Sequence, residues 1–137
     1  MTTVIFACVH NAGRSQMAAA LFNRRADPAR AHAVSAGTVP GDRVHPEVVR
    51  AMQELGVDLS DTRPRLLTDA LAQTAQMLVT MGCGEACPVL PGLIRLDWPL
   101  PDPKGLPLDP VRKIRDEIDA RVVALLGERG WQRRISE

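Results

Sequence analysis

The chain has no long apolar run. Its longest, Val4 to Val9, falls far short of the roughly 20 residues a membrane-spanning helix requires. No charge of either sign dominates, because 17 basic residues face 16 acidic ones for a formal charge of +1. Such a balance offers no long-range field to nucleic acid or an anionic membrane, so any anion chemistry must come from a local site. There is no basic start followed by a longer apolar stretch and a small-residue cleavage site. No signal peptide is therefore expected, and the protein is expected in the cytoplasm, where thiols stay reduced. Cysteine is scarce, and its count of three is odd. That fits reactive thiols better than a closed disulfide framework.

The 137 residues predict one domain spanning 1–137. A chain of this size buries roughly two-thirds of its unfolded surface and needs no metal or disulfide to fold. Thr3 to Cys8, His32 to Ala36, Gln76 to Met81 and Leu93 to Trp98 read as short strands. Helices are expected from Ser15 to Arg25, Pro46 to Leu55 and within Leu66 to Ala75. Asp109 and Pro110 should cap and start the last helix, with Ile114, Ile118, Val122 and Leu125 as its apolar stripe. Arg112, Lys113, Arg115, Asp116, Glu117 and Asp119 are its expected wet face. Alternating strands and helices imply a parallel sheet with helices packed on it, and ligands sit beyond the carboxyl ends of such strands. Cys8, Cys83 and Asp102 each follow a predicted strand.

Cys8-Val9-His10-Asn11-Ala12-Gly13-Arg14-Ser15 carries the strongest signal. A thiol ends a strand, five residues loop round, and an arginine opens a helix. The loop N–H groups from Val9 to Gly13 and the helix start can converge on a tetrahedral anion. Arg14 can clamp two of its oxygens through a planar fork. That positive environment favours the thiolate of Cys8, the nucleophilic form, and Ser15 can donate its hydroxyl to it. The competing reading is a buried, inert strand-end cysteine beside a solvated arginine.

At these residues the chain resembles the low-molecular-weight protein tyrosine phosphatases and the arsenate reductases built on their fold. Cys8 to Ser15 matches the Cys-x5-Arg-Ser loop, and Ser15-Gln16-Met17-Ala18 looks like the reductase branch. Ser35-Ala36-Gly37-Thr38, Thr80-Met81-Gly82-Cys83 and Asp102-Pro103 follow in family order. The resemblance implies a four-stranded parallel sheet flanked by helices on both faces. It assigns Asp102 as the acid that protonates the leaving oxygen, with Asp97 a weaker rival; the alternative for Asp102 is an ordinary turn before proline.

Cys83 and Cys87 separate reductase from phosphatase, because reducing arsenate takes two electrons and a dithiol supplies them. The resemblance implies attack by Cys8 on arsenic, by Cys83 on Cys8, and by Cys87 on Cys83, with external thioredoxin reducing the last disulfide. No bound cofactor or metal is expected, and the protein is expected to be a monomer with arsenate and thioredoxin as partners. Alternatives are a mycothiol or bacillithiol route needing only Cys8, a phosphatase with two idle thiols, a non-catalytic oxyanion or thiol sensor, and a metal site at Cys83 and Cys87. The metal reading is short of ligands. The phosphatase reading is weakened by the absence of tyrosine, with only two Phe and two Trp, and by Lys104-Gly105 after Asp102-Pro103, where such enzymes carry aromatics. Gly13 replaces a loop cysteine of some relatives, and Ala19 stands where potassium-binding reductases have glutamate. Asn11, Ser35 and Asp61 could match other cation positions, but Asn11 is expected to brace the loop instead. His10 is expected to be an exposed loop residue, and His32 and His45 structural or solvated. The segment from Gly82 to Gly92 is expected to be a mobile loop that rearranges on oxidation.

Overall fold

The structure is a computed structural model that describes residues 1–82 and 91–133. The loop expected to carry Cys83 and Cys87 therefore lies largely outside the described residues. Strands β1 (Thr2–Cys8), β2 (Ala31–Gly37), β3 (Met77–Thr80) and β4 (Ile94–Asp97) alternate with helices α1 (Arg14–Arg25), α2 (Pro46–Gln53), α3 (Asp69–Gln73) and α4 (Leu108–Arg129). The four strands form one parallel sheet in the order β2-β1-β3-β4. The β-rich apolar run at the N-terminus thus becomes a central strand buried on both faces, as parallel sheets require.

Alternation along β1 divides the core. Val4 and Phe6 join Met77, Val79, Met17, Phe22, Met52 and Ile118 beneath α1, α2 and α4. Ile5 and Ala7 join Ala36, Leu67 and Leu78 on the opposite face, where Leu71 of α3 packs against them. Phe6 and Phe22 are fully buried and meet edge to face at 5.8 Å. Truncating either to alanine would cost about 3–5 kcal/mol. β4 is the exposed edge, with Ile94 43% exposed.

Two sequence expectations need correction. The last helix starts at Leu108 after Pro107, so Asp109 sits in the first turn, where it pairs with Arg112, instead of capping. A carboxylate there still faces the positive end of the helix. Arg115, expected in water, is buried: it donates to the Ala51 carbonyl at 2.8 Å and to Glu54 at 2.8 Å. The orphan carbonyls that end α2 need donors, and a cation facing them from α4 supplies one. The expected apolar stripe of Ile114, Ile118, Val122 and Leu125 is buried, extended by Val111 and Leu126.

Candidate functional site

The register of the sheet brings the C-terminal ends of its strands to one edge, with Cys8 opposite Gly37, Ala7 opposite Thr80, and Thr80 opposite Asp97. Cys8 is a free, buried thiol at the tip of β1. The chain then loops through Val9 to Gly13 into α1. Its carbonyls point outward: those of Cys8, Val9, His10 and Ala12 accept from the N–H groups of Thr38, Val39, Gly41 and His45. Among the described residues, the N–H groups of His10 to Gly13 donate to no other group. A loop that spends its carbonyls on its neighbours and keeps its N–H groups beside a helix N-terminus is a cradle for an anion.

Asn11 holds that shape. Its backbone is left-handed at φ 51°, a region asparagine tolerates better than most residues. The backbone N–H of Arg65 donates to its Oδ1 at 3.0 Å, and Gln16 Nε2 donates to its Oδ1 and its carbonyl. That leaves Nδ2 to donate to Ser15 Oγ at 2.7 Å. With its oxygen so occupied, the Ser15 hydroxyl proton is free to point at Cys8 Sγ, 2.9 Å away. His10 is half-buried, and its Nδ1 donates to the Val39 carbonyl at 3.0 Å, which ties the loop to the next turn.

Arg14 is buried and reaches across the site, donating to the Leu100 carbonyl at 3.0 Å and standing 3.9 Å from Asp102. Its guanidinium lies against Gly82, where an added methyl group would meet Nη1 at 2.5 Å. The proline-rich segment closes on the loop from above: a methyl at Gly13 would stand 2.5 Å from Cγ of Pro103 and 3.4 Å from Cδ2 of His45. Asp102 is 43% exposed beside Arg14, and its Oδ1 accepts from the N–H of Lys104. Asp97 instead accepts from the Thr80 hydroxyl at 2.8 Å at the sheet edge. Burial pushes His45 below the ordinary histidine value; the Asp102 carboxylate pulls the other way, while Lys104 and His10 add to the fall.

The chain matches the sequence profile of the low molecular weight phosphotyrosine protein phosphatase family over residues 3–134. A putative arsenate reductase of Halobacterium salinarum is 39% identical over 127 residues, covering 90% of this chain and 89% of the relative. The chain belongs to this family. Among solved members, a thioredoxin-dependent arsenate reductase of Corynebacterium glutamicum aligns with a TM-score of 0.81 at 39% identity. That match covers 93% of this chain but only 61% of the other. An arsenate reductase of Archaeoglobus fulgidus aligns with a TM-score of 0.79 at 34% identity, over 90% and 98% of the two chains.

Within this phosphatase-family frame, the structure brings Cys8, the loop from Val9 to Gly13, Arg14, Ser15 and Asp102 to one place. Cys83 and Cys87 lie outside the described residues, although Gly82, the residue before Cys83, touches Arg14. Among the described residues no group of three or more His, Cys, Asp or Glu could hold a metal ion, and no helix is long and apolar enough to cross a membrane. Sequence reading missed the contacts of Gly13 with Pro103, Gly82 with Arg14, and His45 with both loops. Each joins segments far apart in the chain, and no periodicity or spacing signals them.

Proposed function

We propose that this chain reduces arsenate to arsenite, with Cys8 as nucleophile, Cys83 and Cys87 as the dithiol, and thioredoxin as the external reductant. The observation that carries the proposal is the cradle built on Cys8, in which Ser15 addresses Sγ and Arg14 reaches over the loop to Asp102. Its likeness to named arsenate reductases, at 34–39% identity, supports arsenic chemistry. Arsenate enters as a tetrahedral anion held by the loop N–H groups and Arg14. The Cys8 thiolate attacks arsenic; a bond to oxygen breaks, and Asp102 protonates the oxygen that leaves as water. The Cys83 thiolate then attacks Cys8 Sγ. The sulfur–arsenic bond breaks, its electron pair stays on arsenic, and arsenite departs with arsenic reduced by two electrons. Cys87 attacks Cys83 and frees Cys8, and thioredoxin reduces the Cys83–Cys87 disulfide. The net change is arsenate plus two thiols to arsenite, water and one disulfide.

Within this scheme no metal or resident cofactor has a step, the protein works as a monomer in the cytoplasm, and residues 1–137 act as one domain. Gly82 against Arg14 supports the relay, since the chain leaves that contact directly into Cys83. The same cradle with an acid beside it also suits phosphate esters, so weak phosphatase activity is expected as a side reaction. Cys87→Ser, assayed with thioredoxin as the sole reductant, should stall after one turnover. Full steady-state turnover would instead favour a small-thiol route through mycothiol or bacillithiol.

A further inference from the structure

We propose that His45 is a positioning residue for Asp102: its ring stands beside Pro103 over Gly13, setting how the acid sits over the Cys8 loop. The inference rests on the site reading above and concerns a residue to which that mechanism gives no part.

His45 stands at the junction of three segments. Its N–H donates to the Ala12 carbonyl at 2.9 Å, and its own carbonyl accepts from Val48 and Val49 as α2 begins. The backbone is thereby bolted to the oxyanion loop on one side and to a helix on the other. As the residue before the helix, it makes no side-chain cap. Among the described residues the ring has no hydrogen-bond partner, yet it is half-buried. A side chain placed at a cap position but unused as a cap is free to serve another contact.

That contact is visible at Gly13. Pro103 and His45 both face the spot where a side chain at that position would stand, so ring and proline flank the same loop position. His45 and Pro103 also share the wall of a cavity of about 430 Å³ with Glu47, Gly105 and Leu106. The charges facing the ring come from every neighbour: Asp102 and Lys104 on the proline-rich segment, and His10 on the oxyanion loop. Glu47, on its own helix, is engaged by Arg50 at 3.7 Å. Asp102 stands 3.9 Å from Arg14 on its other side, so it links the ring's surroundings to the anion site.

The test uses aryl phosphates, whose hydrolysis calls on Cys8, Arg14 and Asp102 but not on Cys83 or Cys87, so a failed relay leaves it intact. Cys8→Ser serves as the control on the site itself. With phenyl phosphate, whose leaving group needs the proton, His45→Ala should lower kcat about tenfold. With 4-nitrophenyl phosphate, whose leaving group scarcely needs it, the loss should stay within about twofold. His45→Gln, neutral and of similar reach, should recover most of the phenyl phosphate rate. Ring-proton NMR supplies a readout without turnover: Asp102→Asn should move the His45 titration lower still, because a carboxylate that raises it is gone. Equal losses on both esters in His45→Ala, or a His45 titration unmoved by Asp102→Asn, would overturn the proposal.

Discussion

Replacing Gly13 by alanine tests how the acid is held. A methyl there would meet Cγ of Pro103 at 2.5 Å and its Cδ at 3.3 Å, well inside ordinary contact distance. Proline is a rigid ring fused to the backbone, so it cannot swing aside as a long side chain would. Relief must come from the Asp102–Lys104 segment lifting away by on the order of 1 Å. A displacement of that size at a reacting group costs about 100-fold, equivalent to about 2.7 kcal/mol of transition-state stabilisation. The expected outcome for Gly13→Ala is a kcat for arsenate reduction about 100-fold below wild type. Affinity for inorganic phosphate, measured as a competitive inhibitor, should change by less than about threefold, because the cradle N–H groups do not touch Pro103 and Arg14 keeps its bond to the Leu100 carbonyl. Adding Pro103→Ala removes the opposing ring atoms and should recover part of the loss. Parallel losses in kcat and phosphate affinity, with no recovery in the double variant, would mean that Gly13 serves the anion cradle and the reasoning about the acid is wrong.

Gly82 has φ +103°, and a side chain there would strike Arg14 Nη1 at 2.5 Å. Gly82→Ala should therefore weaken phosphate inhibition about tenfold or more, since the charged fork that holds the anion is displaced. Asn11 is fully buried, and its side chain makes three hydrogen bonds, one of them accepting from the Arg65 N–H. Asn11→Ala should lower unfolding stability in urea by about 2–4 kcal/mol. Glu54 is held at a pKa of about 2 by hydrogen bonds from Arg112 and then Arg115, below its ordinary 4.5. Its contribution to stability is thus fully present above pH 4.5 and is lost as pH falls towards 2. Glu54→Gln should flatten the acid limb of a thermal-unfolding series across that window.

Local features were legible in the sequence and contacts between distant segments were not. Cys8 to Ser15 is contiguous, so its strand, turn and helix start could be read from eight neighbouring letters. The bracing role expected of Asn11 is met by its bonds to Ser15, Gln16 and Arg65. The central strands could be read because burial on both faces demands unbroken apolar runs. Arg115 misled because the period of a helix tells which positions share a face but not that α2 ends opposite this one. The start of α4 misled because Asp109-Pro110 is a familiar opening signal, while Pro107 supplies an earlier one. His45 and Pro103 meet at Gly13 across gaps of dozens of residues, and only the folded chain places them together.

One measurement addresses the flow of electrons directly. Fully reduced protein is mixed with one equivalent of arsenate, with thioredoxin and every small thiol excluded, then quenched in acid and mapped by mass spectrometry. The expected result is one arsenite per chain and a new link between Cys83 and Cys87, with Cys8 again a free thiol. Arsenate left unreduced, while Cys83 and Cys87 remain reduced, would contradict it.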